Sequence, residues 1–395
     1  MTSDSSRSRP SLGILFSVVV VDLIGFGIVV PILPFWAERY GASAFVLGLI
    51  LASHALMQFL LAPSWGRLSD RIGRRPVMLV TIAGTAISLL ALGFADSLAQ
   101  IFVARVLTGI FGANVSVATA YLTDVTEESE RTRWMGMIGA SFAVGFTIGP
   151  PIGGLLAGMG HGVPMLFAAG LAFLNLIWAA FRLVEPERHR ARDERTLGNR
   201  FDALRHDAVR RICLVYFLFS LAVTQLETTF AYFMLHRFGY RELGVAMVMF
   251  AMAIVMGGIQ GGAMKWLAER YAERSLALAG LSAMALGFAM LPWVTSVALL
   301  MAPLALLSIA RGLSQPPLLS LVSLHADDEN RGIVMGVFQS SASGARIFGP
   351  VIAGALYDLG QGFPYWMAAA LVGCSALLAR GIRAPDRAQG PVAPA

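Results

Sequence analysis

Apolar residues in this chain come in stretches of about twenty, separated by short polar segments. The pattern predicts twelve helical spans, at about 12–35, 44–64, 76–95, 98–122, 135–159, 163–184, 210–235, 242–264, 275–293, 297–322, 333–357 and 363–381. Each is long enough to cross a hydrocarbon layer of about 30 Å as a helix. The runs are continuous and do not alternate, which argues against a barrel, so the expected class is all-α and polytopic. The segment 184–209 interrupts the series with charge and little apolar content except an amphipathic piece at 201–209. Three parts follow: a six-helix bundle at 1–184, a surface linker at 185–209, and a second six-helix bundle at 210–395 ending in a short tail.

The two bundles repeat each other at an offset of about 200. Met135 and Gly136 recur as Met335 and Gly336, Gly149 and Pro150 as Gly349 and Pro350, and Arg131 as Arg331. A fainter echo sets Asp70, Arg71 and Arg75 against Glu269, Arg270 and Arg274. Duplicated halves with a site between them are the plan of secondary transporters.

Composition agrees with membrane insertion. Only 14% of the 395 residues are charged and 56% are hydrophobic, against about 25% charged in soluble domains. The net charge of +6 would suit an acidic partner if the bases were clustered at a site. Instead, with loops assigned alternately to two faces, 24 of the 30 Lys and Arg lie on one face, and only Arg39, Arg237 and Arg241 lie on the other. By the positive-inside rule that rich face, with both termini, is cytoplasmic. No nucleic-acid partner is implied. Cys213 and Cys374 sit in separate apolar runs, so neither a disulfide framework nor a metal cluster follows. The first run carries Asp22 and is too long for a signal-peptide core, so it is expected to be retained.

The densest signal is residues 66–76, GRLSDRIGRRP, which set Gly66, Asp70, Arg71, Gly73, Arg74 and Arg75 between two apolar runs. A central Arg or Asp costs about 2.5–3.5 kcal/mol to insert, so this segment is expected as a tight loop at one membrane face, with the glycines turning the chain. Its grammar, G-x-x-x-D-R-x-G-R-R, resembles the loop between helices 2 and 3 of major facilitator superfamily transporters. In helix 5, Gly136, Gly145, Gly149, Pro150, Gly153 and Gly154 match that superfamily's antiporter motif, G-x8-G-x3-G-P-x2-G-G. The resemblance implies export in exchange for protons.

Six further spans carry polar side chains that need a reason. Asp22 in helix 1 precedes Gly25, Pro31 and Pro34; a mid-membrane carboxylate persists only if protonated, paired or wetted, which suits a proton carrier or a structural acid bonded to neighbouring helices. Arg105 in helix 4 keeps its charge and needs a partner, which a nearby titrating acid can supply. Glu227 in helix 7, with Thr224 on its face and Gln225 beside it, is a second coupling candidate or a counter-charge for a cationic substrate, with Arg346 of helix 11 as its expected protein partner. His54 and Gln58 in helix 2, Gln260 in helix 8 and Phe230 in helix 7 are the remaining candidates for a cavity lining, since an amide facing lipid would be unsatisfied.

The single lysine, Lys265, follows Met264, so the phosphate-loop motif is missing, as are H-E-x-x-H, C-x-x-C and G-x-S-x-G. No enzyme activity, cofactor or metal is expected. The first half, through ALMQFLLAPSWGRLSDRIGRRPVML and ARVLTGIFGANVSVATAYLTDVT, is similar to the twelve-helix drug/proton antiporters and most of all to the tetracycline exporters. That likeness implies that Asp124 joins Asp70 and Arg71 as gating charges. The second half keeps only fold and repeat signals. The expectation is a proton-coupled exporter of an amphipathic small molecule, acting as a monomer in the bacterial inner membrane, with the substrate and protons as its ligands. An exporter of an endogenous metabolite, an uptake symporter or a non-transporting sensor of the same fold are the alternatives.

Overall fold

In a computed structural model of the chain, the described residues are 9–126, 128–186, 206–326 and 331–382. The linker expectations fall largely at 187–205 and lie outside the described residues, as do the side chains of Arg131 and Met135 and the surroundings of Gly136. Fourteen α-helices follow in order: α1 Arg9–Arg39, α2 Ala44–Ile72, α3 Arg74–Gly93, α4 Leu98–Phe111, α5 Asn114–Val125, α6 Glu128–Ala157, α7 Val163–Arg182, α8 Asp207–Phe238, α9 Glu242–Gly258, α10 Met264–Arg270, α11 Glu273–Met290, α12 Val297–Leu324, α13 Arg331–Leu359 and α14 Phe363–Ala379. They make twelve spans, because α4 and α5 form one interrupted helix and a π-helical turn, Ile259–Ala263, joins α9 to α10. Among the described residues, ten spans are long and apolar enough to cross a membrane by length and composition, and α14 is a shorter apolar helix.

Two expectations about boundaries change. Residues 66–72 are not loop: α2 continues through Ile72, and the turn is the single residue Gly73 at φ +112°. The charged stretch stays helical because a helix end at the membrane surface can hold its charges in water, and only one residue then has to reverse the chain. Gly66 lies inside α2 with open space at its Cβ position, so it has no part in the turn. The fourth span is also not continuous, since the chain leaves the α-helix at Gly112 and Ala113 before α5 begins.

The described chain forms two compact units, residues 1–193 with 228–254, and residues 194–227 with 255–395. Within the first, the core holds Val18, Leu23, Val77, Ile82, Val117 and Tyr121 among others. The internal repeat is visible as repeated contacts. Arg75 donates to the carbonyl of Ala180 at the end of α7, and Arg274 donates to that of Arg380 at the end of α14. Asn175 donates to the Val18 carbonyl, and Ser375 to that of Val215. Gly149 packs on the α1 backbone at Ile24 and Gly27, and Gly349 packs on Thr224 of α8.

Candidate functional site

The α1–α6 seam comes first, because its geometry follows from spacing. Gly145, Gly149 and Gly153 stand four residues apart and so share one face of α6. A methyl placed on Gly145 would lie 2.6 Å from the Leu23 carbonyl carbon, on Gly149 2.6 Å from Gly27 Cα, and on Gly153 2.6 Å from the Ile28 oxygen. The two backbones therefore touch along two turns, as small residues permit in membrane helices. Gly154 points elsewhere, to Ala246 and Leu243 of α9. Pro150 and Pro151 lie inside α6, and each removes a backbone donor.

Asp22 immediately precedes the first contact of this seam, at Leu23. Its Oδ1 accepts a hydrogen bond from Asn114 Nδ2 at 2.8 Å, and Asn114, almost fully buried, is the first residue of α5 after the break at Gly112–Ala113. Gln58 donates to the Gly112 carbonyl at 2.6 Å, and His54 Nδ1 lies 3.3 Å from Thr108 Oγ1. His54 and Gln58, both half-buried, brace the interrupted span: each faces α4, and Gln58 satisfies a carbonyl that the helix cannot. Arg105 is 3% exposed, its Nε has no hydrogen-bond partner, and no acid lies within ion-pair distance among the described residues. The expected pairing of Arg105 with a nearby acid is not what the side chains adopt. Asn114 is the residue that sequence reasoning missed; a polar side chain directly after G-A in an apolar run was the signal.

At the end of α2 the charges converge on Arg74. Its Nη1 lies 2.6 Å from Asp70 and donates to Ser69 Oγ at 2.6 Å, and its Nε lies 2.7 Å from Asp124. The backbone N–H groups of Arg74 and Arg75 donate to the two oxygens of Glu185, at 2.7 and 2.8 Å. These are donors that a helix start leaves unsatisfied, and the carboxylate also faces the positive end of the α3 dipole. A Cβ on Gly73 would lie 2.7–2.8 Å from that carboxylate, so both the backbone angle and the space require glycine. Glu185 was not anticipated, because it is one acid at the head of a charged segment. Arg71 is exposed and Arg75 is half-buried against α7.

At the other end of the spans, two histidine–carboxylate pairs lie in the same unit. His236 Nε2 meets Glu38 Oε1 at 2.7 Å, and His161 Nδ1 lies 3.4 Å from Glu242 Oε1.

In the second unit, Glu227 pairs with Arg311 of α12 at 2.9 Å, not with Arg346. α12 brings Arg311 opposite Glu227, whereas Arg346 lies on the exposed side of α13. Thr224 and Gln225 are not on an open face either. Thr224 is packed under Gly349, and Gln225, fully buried, donates to the Leu221 and Gly349 carbonyls at 3.3 and 3.4 Å. Together they hold α8 to the Gly349–Pro350 step of α13. Phe230 is buried as well, so helix packing consumes it. Gln260 is half-buried in the π-helical turn, whose Ile259 packs on Gly312 beside Arg311. Single π-turns recur at functional sites.

A family model for the Major Facilitator Superfamily matches residues 15–265 and 261–395, which together span nearly the whole chain. The chain belongs to the major facilitator superfamily. It is therefore a multi-pass membrane protein of a transporter family, as its spans indicate. Among curated proteins it is 31% identical to the tetracycline resistance protein, class C, of Escherichia coli, over 89% of this chain and 90% of that one. It is 28% identical to the class H tetracycline resistance protein of Pasteurella multocida, with 90% of each chain covered. Among solved structures it superposes on the human organic anion transporter MFSD10 (TETRAN) with a TM-score of 0.71 and 27% identity, covering 94% of this chain and 99% of that one.

Proposed function

We propose that this transporter exports an amphipathic small molecule across the bacterial inner membrane in exchange for protons, with Asp22 as the proton carrier and both termini cytoplasmic. The observation that carries the reading is the contrast between the two membrane carboxylates. Asp22 is held by a neutral amide, so it can gain or lose a proton without stranding a base. Glu227 is already ion-paired with Arg311, so protonating it would break that pair and leave the Arg311 charge without its partner. The glycine seam next to Asp22 gives the carboxylate a rigid neighbour through which its state can bear on helix packing. The named relatives, tetracycline resistance proteins, support efflux as the direction.

Antiport requires that substrate and proton favour different states of one site. One proton moving inward yields about 2.3 kcal/mol per 100 mV, enough for a neutral substrate gradient of about fiftyfold at 1.4 kcal/mol per decade. The Arg74 cluster is assigned to the gate that holds the cytoplasmic side. The test uses proteoliposomes with an imposed pH gradient and a panel of amphipathic compounds that includes a tetracycline. One compound should trigger proton movement, and Asp22→Asn should abolish it in a protein that still folds. Transport intact in Asp22→Asn and dead in Glu227→Gln would move the proton to Glu227. No proton movement with any compound would overturn antiport.

A further inference from the structure

The second unit contains more positive charge inside its spans than its acid can neutralise, and the surplus is gathered in one place. Glu227 is matched by Arg311, whose Nε is buried without a hydrogen-bond partner. Arg346 has no acidic partner among the described residues. Arg346 lies fifteen residues from the start of α13 and thirteen from its end, about 20 Å from either terminus at 1.5 Å per residue. An arginine cannot snorkel that far, so its exposure marks a water-accessible face rather than lipid. Gln339 and Ser343, seven and three residues earlier, continue that polar face.

What surrounds Arg346 is arranged for recognition. Tyr216 of α8 lies within electrostatic reach of both Arg346 and Arg311, and Gln315, one turn beyond Arg311, reaches its hydroxyl. The Tyr216 ring is stacked on Phe338 at 3.9 Å between centroids, which fixes the phenol in place. Gly344, two residues from Arg346, brings α13 to Phe217. Two guanidinium groups, the phenol of Tyr216 and an amide thus lie near one another, with only one carboxylate among them.

We propose that Arg346, with Arg311, Tyr216 and Gln315, forms an anion-binding subsite that takes the carboxylate of an amphipathic substrate. A planar guanidinium presents two parallel donors to a carboxylate, and the open face of α13 around Arg346 leaves room for the rest of the molecule. Glu227, already neutralised, does not serve as the counter-charge of a cation. The assignment names the substrate class of the transporter proposed above and rests on its being a transporter, but not on proton coupling.

The test is equilibrium binding to the full chain in nanodiscs, with no gradient, using three probes on one scaffold: 2-naphthylacetate, 2-naphthylacetamide and 2-(2-naphthyl)ethylamine. The carboxylate should bind at least about tenfold more tightly than either of the others, and Arg346→Gln should remove that preference. If Arg346→Gln does not fold, Arg346→Lys, which keeps the charge but loses the fork, should weaken the carboxylate about threefold or more. Equal binding of the three probes, tightest binding of the amine, no binding of any at millimolar concentration, or a preference unchanged in the arginine variants would each overturn the subsite. Loss of proton coupling in proteoliposomes with this selectivity intact would instead overturn the antiport reading alone.

Discussion

Replacing Gly149 with alanine tests whether the glycine stripe of α6 is a contact surface or merely a composition. The new methyl would stand 2.6 Å from both Cα and the carbonyl carbon of Gly27 and 2.9 Å from the Ile24 oxygen. Ordinary carbon contacts lie at about 3.5–4.0 Å, so the deficit is about 1 Å. It falls on backbone, which cannot rotate aside. α1 and α6 would have to separate by that amount, loosening the Gly145 and Gly153 contacts as well. Overpacking of this kind costs about 1–3 kcal/mol, against a gain of up to about 1 kcal/mol from replacing glycine in a helix. Gly139 supplies the control: it lies on the same helix with nothing within 4 Å of its Cβ position, so Gly139→Ala should keep the propensity gain and incur no clash. Thermal unfolding of the two variants in one detergent should place Gly149→Ala below wild type and Gly139→Ala at or above it, separated by about 2 °C or more on the scale of a bundle this size. Equal midpoints would refute a backbone-to-backbone seam.

Two other substitutions examine the ends of the spans and the proton site. Glu185→Ala removes the acceptor of two N–H groups at the start of α3 and should lower stability by about 0.5–2 kcal/mol, seen as faster proteolysis at the Gly73 turn; an unchanged cleavage rate would mean that the cap does not hold it. Asn114→Ala deprives Asp22 of its hydrogen bond and should shift the pH dependence of proton-driven transport without abolishing it, whereas Asn114→Asp, setting a second acid against Asp22, should impair transport more severely; equal profiles for Asn114→Ala and wild type would remove Asn114 from the proton site.

The spans were legible because insertion depends on run length and composition, both local. The repeat was legible too, and its contacts bear it out: the Gly149 and Gly349 packings, and the Arg75 and Arg274 bonds to the ends of the sixth and twelfth spans, recur at an offset of about 200. What escaped was mostly who meets whom. Gln58 reads only as a cavity amide, and the break at Gly112 adds a carbonyl that it satisfies. Thr224 and Gln225 read as lining residues until Gly349 is found pressed on them. Polar side chains inside a membrane bundle have two ways to be satisfied, by water in a cavity or by an irregular backbone nearby. A sequence reveals the side chain but not the irregularity.

The arginine assignment illustrates the same gap with larger consequences. Arg311 and Arg346 both lie at the middle of their spans, so depth alone makes them equal partners for Glu227. Which one pairs depends on the rotation of α12 and α13 about their axes, and that rotation is set by contacts such as Ile259 on Gly312 and Gly349 on Thr224. Had Arg346 taken Glu227, the open face would hold a neutral pair. Because Arg311 takes it instead, the guanidinium left over is the one on the water-accessible face, and the polarity of what can bind there is decided by a helix rotation that no local pattern encodes.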